Sequence, residues 1–201
     1  MNFKEMKQSV EILNKEWNLG KEESKATGNI CAWIYLMWIL GESEQIVIYK
    51  ENNELIGFAG YSKENSKKHL LRKKLYHFIE KVLYSSKKIK NKDALVEYYN
   101  NFEYLPNEFK KYFDGQLTIL IVNKKYRKKQ IGKKLLLEIF DLAKKDNMKN
   151  IQISSDESCN YKIYEKIGCN KVYETIIENK EYKKTGDTPT IKAFVYEKSL
   201  Q

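Results

Sequence analysis

The sequence has few of the residues that break or cross-link a chain. Only two of its 201 residues are proline and nine are glycine, which argues against low complexity or disorder. The three cysteines (Cys31, Cys159 and Cys169) are odd in number and form no C-x-x-C pair. A disulfide framework or a zinc site is therefore not expected, and a reducing compartment fits better.

A long hydrophobic run is also missing. The longest one, Ile30 to Leu40, is too short to span a bilayer, which takes about 20 residues. The first residues, MNFKEMKQSVEILNKEW, lack the apolar core of a signal peptide. We therefore expect a cytoplasmic protein without a transmembrane segment.

The composition supports a folded core, and the charge is one-sided. The chain is 42% hydrophobic with a formal net charge of +10. Its length suits one domain, so we predict a single domain over residues 1–201. The positive charge favours anionic partners such as a nucleotide, a nucleic acid or a membrane surface, but solvated lysines account for it as well.

The most informative segment is LTILIVNKKYRKKQIGKKLLL, from Leu117 to Leu137. An apolar run ends at Asn123, and an amphipathic pattern starts at Ile131. Residues 123–134, which connect the two patterns, contain no acidic residue and seven cations: Lys124, Lys125, Arg127, Lys128, Lys129, Lys133 and Lys134. This order predicts a strand, a basic turn and a helix. Such a turn directs backbone N–H groups and a helix N-terminus at one point, which attracts phosphate.

Periodicity in the rest of the chain predicts an alternation of helices and strands. We expect helices near 3–17, 29–40, 131–145 and 158–167, and strands near 45–49, 55–61, 116–122, 150–154, 170–178 and 190–198. A hairpin turn is expected at 51–54. The central strand–helix–strand unit requires parallel pairing, whereas the hairpins supply antiparallel pairs. The predicted class is therefore a mixed α/β fold.

Residues 62–114 differ in character from their surroundings and are interpreted as a lysine-rich helical insertion. Apolar residues in its first half recur at helical spacing: Leu71, Leu75, Phe78, Ile79, Val82 and Leu83. We expect this stripe to pack on the sheet while the lysines face water. The alternative is a nucleic-acid- or protein-binding module that uses the basic helix 66–92. Nucleic acid is not expected, because no named nucleic-acid motif is present.

Two blocks of sequence resemble a known family. YRKKQIGKKLL, from Tyr126 to Leu136, resembles the acetyl-CoA signature of the GNAT superfamily of N-acetyltransferases, Arg/Gln-x-x-Gly-x-Gly/Ala. Arg127 takes the first place of that signature, Gln130 the first glycine place and Gly132 the last. DESCNYKIYEKIGC, residues 156–169, resembles the family's Asn…Phe/Leu-Tyr-Glu-Lys-x-Gly-Phe segment. The resemblance covers roughly residues 44–61 and 115–199.

The resemblance implies a GNAT-like fold with a central mixed, mostly antiparallel sheet, a splayed parallel strand pair and flanking helices. It implies acetyl-CoA as cosubstrate, without a metal. The coenzyme would be bound by these residues: Leu120, Ile121, Val122, Arg127, Lys128, Lys129, Gln130, Ile131, Gly132, Lys133 and Asn160. For Asn160, capping of the short helix is an open alternative. Gln130 departs from the signature and can donate its amide if its φ is negative, with weaker binding or a shifted pyrophosphate as the other outcome.

The implied activity is transfer of an acetyl group to a primary amine of a small molecule or peptide by direct attack. Tyr164 matches the family tyrosine that acts as general acid. Candidates for the general base are Glu103, Asp114, Glu174 or a water chain. A non-catalytic coenzyme A-binding protein is the alternative that Gln130 leaves open. The acceptor is not identified, and a homodimer stays open.

Overall fold

A six-stranded sheet with helices on both faces makes up the fold. The computed structural model describes residues 1–17, 24–89, 106, 112–178 and 190–201. In chain order its elements are α1 (Phe3–Trp17), α2 (Lys25–Glu42), β1 (Gln45–Glu51), β2 (Glu54–Lys63), α3 (Leu70–Tyr84), β3 (Gly115–Val122), a 3₁₀ turn (Lys124–Tyr126), α4 (Ile131–Lys145), β4 (Asn150–Asp156), α5 (Lys162–Lys166), β5 (Asn170–Glu178) and β6 (Thr190–Ser199).

The sheet contains one parallel pair among antiparallel neighbours. Its strand order is β1-β2-β3-β4-β6-β5, and only β3 and β4 run parallel. These two strands share a single register pair, Gln116 with Gln152, near their amino ends. From there they diverge toward their carboxyl ends. The predicted mixed, mostly antiparallel sheet with a splayed parallel pair is therefore confirmed.

Each face of the sheet has its own hydrophobic core. On one face α1 and α2 pack on the sheet, with Leu13, Leu36 and Phe58 fully buried between them. On the other face α4 packs through Leu135 and Ile139. Burial on both faces explains why β2 is a nearly continuous apolar run instead of an alternating one.

Local signals predicted most element boundaries well. Asn52 and Asn53 have φ values of 50° and 62°, the conformation that a two-residue hairpin turn requires. Helix α2 starts earlier than its apolar run, because the Ser24 side chain accepts a hydrogen bond from the Thr27 amide, 3.1 Å away, and caps it. None of the helices in the described ranges is long and apolar enough to cross a bilayer.

Helix α3 has the predicted periodicity but not the predicted orientation. Tyr76, Ile79 and Leu83 pack toward the core of α2. The outer stripe of Leu71, Leu75, Phe78 and Val82 is exposed, so the expected packing of the whole stripe on the sheet is wrong. Nothing in the described structure shows what covers this stripe.

Polar contacts account for the orientation of α3. The Arg72 guanidinium donates to the backbone oxygens of Ser43 and Glu44, at 3.2 and 2.9 Å. Lys73 reaches the Glu44 carboxylate at 3.3 Å. These bonds turn the basic side toward the α2–β1 junction and the opposite side outward. The single-domain organisation and the insertion at about 62–114 stay predictions, because residues 90–105 and 107–111 lie outside the described residues.

Candidate functional site

The candidate site lies where β3 and β4 separate. The N-terminus of α4 and the short helix α5 border the gap beyond the carboxyl ends of both strands. At Gly132 a Cβ atom would stand 3.3 Å from Ile163 Cδ1 of α5 and 3.9 Å from Val122 Cγ2 of β3. Gly132 therefore allows the three elements to approach closely at the base of the gap.

The β3 residues that the sequence predicts to bind the coenzyme lie along this gap. Val122, Ile121 and Leu120 pair with β2 on one side, opposite Gly57, Phe58 and Ala59. Their other side faces β4, with which no register pair is formed beyond Gln116. Backbone groups on that side are open to an extended ligand, because the sheet leaves them without a strand partner.

The turn between β3 and α4 presents backbone amides to the same gap. Lys128 and Gln130 have left-handed φ values of 71° and 59°, and alternating left-handed residues orient successive N–H groups to one side. The first amide bonded inside α4 is that of Lys134, which donates to the Gln130 oxygen at 3.0 Å. Within the described chain the amides of Ile131, Gly132 and Lys133, in the first turn of α4, have no intrahelical acceptor. This arrangement is typical of anion sites at helix N-termini.

The positive φ of Gln130 corrects one expectation. A negative φ was the condition set for donation by its amide, and this condition is not met. The residue instead has the left-handed conformation of the signature glycine, which keeps its amide among those of the turn. Gln130 is the residue before the first turn of α4, and its side chain makes no capping hydrogen bond. The backbone here requires the left-handed conformation that glycine adopts freely, which explains why glycine suits this place of the signature.

Acids from other elements neutralise part of the charge on the turn. The Arg127 guanidinium is bonded to Glu16 of α1, and Lys129 lies 3.7 Å from Glu51 at the end of β1. The pairing of these two acids with the turn was not predicted from the sequence. Glu16 stands 111 positions before Arg127, so no local pattern could link the two residues.

Tyr164 is the buried aromatic residue at the opposite side of the gap. Its ring lies 5.4 Å from the ring of Tyr196, with an angle of 42° between the two ring planes. The residue is 8% exposed, and burial raises the pKa of its hydroxyl above the ordinary value. The hydroxyl therefore keeps its proton throughout the neutral range and can donate it.

Asn160 lies in the turn before α5 and is exposed. Its backbone oxygen accepts from the Ile163 amide at 3.2 Å, while Asp156 organises the turn by accepting from the Ser158 amide at 2.9 Å. The cap position of α5 is Tyr161, without a side-chain bond. The capping alternative for the Asn160 side chain therefore has no support here, and the side chain is available to a ligand.

The structure does not assign a general base. The Asp114 carboxylate accepts from the Lys149 amide at 2.5 Å, at the amino end of β3 and away from the gap. Glu174 is bonded to Lys171 on the surface, and this bond lowers the pKa of its carboxyl. Glu103 lies outside the described residues. Within the described ranges no group of three His, Cys, Asp or Glu residues is placed to hold a metal ion.

One family profile matches the middle of the chain. The profile of the acetyltransferase (GNAT) family matches residues 89–169, which is less than half of the chain. No curated protein matches the sequence.

Three solved structures share the fold over nearly the whole length of both chains. An aminoglycoside 6′-N-acetyltransferase complexed with coenzyme A superposes with a TM-score of 0.56 at 14% identity, covering 100% of this chain and 93% of that one. A Pyrococcus horikoshii protein gives 0.58 at 18% identity, covering 99% and 94%. A Desulfovibrio desulfuricans protein described as a GNAT acetyltransferase gives 0.55 at 10%, covering 100% and 95%. At these identities the likeness establishes a shared fold and no more.

The family match falls on the segment that contains β3, the basic turn, α4 and Tyr164. Residues 89–169 are therefore similar in sequence to the acetyltransferase (GNAT) family, and the whole chain shares the fold of the three solved structures.

Replacing Gln130 by glycine tests the strain at the turn. Gln130→Gly is expected to stabilise the fold by about 1 kcal/mol, because a side chain in the left-handed conformation costs more than the entropy that glycine adds. Urea unfolding measures the difference. Gln130→Ala keeps Cβ and serves as control, and an equal gain in both variants would contradict the explanation.

Proposed function

We propose that the protein transfers the acetyl group of acetyl-CoA to a primary amine of a small molecule or peptide. The observation that carries the proposal is the gap between β3 and β4, which leads directly to a turn lined with free amides. A gap of this kind accepts an extended chain, and the turn accepts a phosphate group at its end. Coenzyme A has this combination of parts.

The turn would hold the pyrophosphate mainly through its backbone. The amides of Lys128, Lys129, Gln130, Ile131, Gly132 and Lys133 would converge on the phosphate oxygens, as at other helix N-termini that bind anions. Exposed lysine side chains of the turn add an attraction that salt weakens. Asn160, across the gap, would orient the coenzyme.

The open side of β3 would hold the pantetheine arm. Backbone groups of Leu120, Ile121 and Val122 would pair with its amides in the manner of a missing strand. One backbone N–H in this region would polarise the thioester carbonyl and stabilise the negative charge that develops on its oxygen. No metal is required for this step.

The reaction has a simple balance of bonds and protons. The neutral amine attacks the thioester carbonyl, a C–N bond forms, and the C–S bond breaks. Tyr164 would donate its hydroxyl proton to the leaving sulfur, the amine would give its proton to water, directly or through a base, and the tyrosinate would take a proton back from water. Burial suits Tyr164 to this role, since its raised pKa keeps the donor protonated.

A thiol assay separates the proposal from its alternatives. Wild-type protein with acetyl-CoA and a panel of small and peptide amines is expected to release free coenzyme A with at least one acceptor. Thermal stabilisation by acetyl-CoA without thiol release from any amine would favour the non-catalytic binding protein. Absence of both effects would overturn the proposal.

Removal of the Tyr164 hydroxyl tests the general acid. Tyr164→Phe is expected to lower kcat about 100-fold, because a positioned acid contributes on this order, and to leave the KM for acetyl-CoA nearly unchanged. Tyr161→Phe is the matched control, since Tyr161 precedes α5 and its ring packs on Phe194 at 4.6 Å. Equal kcat in wild type and Tyr164→Phe would refute the acid role.

The pH profile tests the environment of the same hydroxyl. Tyr164 is active as an acid below its pKa, and burial raises that pKa above the ordinary value of about 10. Between pH 7 and 9.5, kcat is therefore expected not to fall, and it should rise with acceptors that must lose a proton. A falling limb in this range that disappears in Tyr164→Phe would contradict a raised pKa.

A further inference from the structure

Glu16 connects helix α1 to the basic turn through both of its carboxylate oxygens. Oε1 accepts the backbone N–H of Lys124 at 2.9 Å, and Oε2 is bonded to the Arg127 guanidinium. Arg127 in turn directs its Nε at the Val122 backbone oxygen, 3.4 Å away. One carboxylate thus ties together the end of β3, the beginning of the turn and the place of the signature arginine.

The burial of Glu16 makes this contact hard to release. Its side chain is 4% exposed, whereas that of Arg127 is 59% exposed. If Arg127 swung toward a phosphate, the Lys124 amide would be the one partner left to the Glu16 carboxylate among the described residues. Leaving a buried charge without its counter-ion is strongly unfavourable, so we expect Arg127 to stay on Glu16 when an anion binds.

We propose that Glu16 is a positioning residue for the coenzyme turn and that the Arg127 side chain acts through Glu16 instead of touching phosphate. The inference rests on the proposed function, because it assigns a role in binding acetyl-CoA. The groups at the turn would then have two different roles. The backbone amides from Lys128 onward would bind the anion, while Glu16 and Arg127 would hold those amides in place.

The two possible roles of Arg127 predict opposite effects of neutralising Glu16. If Arg127 binds phosphate directly, Glu16 competes for it, and Glu16→Gln should tighten coenzyme binding. If Glu16 positions the turn, the same variant should weaken binding, since the amides lose their shared support. The sign of the change therefore distinguishes a competitor from a support.

The experiment measures the Kd for acetyl-CoA by calorimetry, together with KM, kcat and Tm. Glu16→Gln and Arg127→Gln are each expected to raise the Kd about tenfold, with kcat at saturation little changed. The double variant should be no worse than either single one, because both remove the same contact. The slope of log Kd against log salt should stay as in wild type, since no phosphate contact is removed.

Glu5→Gln is the matched control. Glu5 is a second largely buried carboxylate on α1, paired with Lys50 of β1, and does not contact the turn. It is expected to lower Tm as much as Glu16→Gln while the Kd changes less than about twofold. This comparison separates positioning of the turn from loss of helix stability.

Each outcome bears on the inference or on the function. Tighter binding in Glu16→Gln, or a smaller salt slope in Arg127→Gln, would overturn the positioning role and make Arg127 a direct ligand. An equal rise of Kd in Glu5→Gln would overturn it in favour of a purely structural contact. Lack of acetyl-CoA binding by the wild type would instead refute the proposed function.

Discussion

The site depends on the fact that β3 and β4 are joined only near their amino ends. Each strand is held by an antiparallel ladder along its outer side, β3 by β2 with one irregularity at Thr118, and β4 by β6. The two ladders keep the strands in one sheet while the single pair of Gln116 and Gln152 lets their carboxyl ends separate. A gap with unpaired backbone groups is costly in a closed sheet, and here the ladders on both outer sides hold the two strands in place around it.

At the basic turn the fold fixes the backbone geometry more firmly than the side-chain charges. Cations are numerous in the sequence, yet Arg127 and Lys129 are paired with acids, and Lys134 lies over the ring of Tyr49 at 5.5 Å. The charge of these side chains is partly compensated by their neighbours, and salt screens the rest. The left-handed residues and the open amides of the helix N-terminus are fixed by the fold, and they point at one place whatever the ionic strength.

The features that could be predicted from the sequence are those that depend on residues close together in the chain. Apolar periodicity predicted the helices and strands, and the apolar run followed by a basic stretch predicted the strand, turn and helix from β3 to α4. Contacts between distant segments were not predicted. The pairing of Arg127 with Glu16 joins residues 111 positions apart, and the orientation of α3 follows from Arg72 reaching the α2–β1 junction. Its apolar periodicity shows that α3 has one apolar side, but it does not say which neighbour that side meets.

Gln130 illustrates how a local departure from a pattern becomes intelligible only through the backbone. The sequence shows a glutamine where glycine is usual, and a negative φ was the condition under which its amide was expected to donate. The chain instead keeps the left-handed conformation at that position, as it does at Lys128 two residues earlier. The orientation of the amides is therefore maintained against the preference of the side chain. The physical reason lies in the neighbours, since Ile131 is buried at the start of α4 and the turn is tied to α1 by Glu16. Conformation at the turn is thus determined by the packing around it more than by the residue that occupies it.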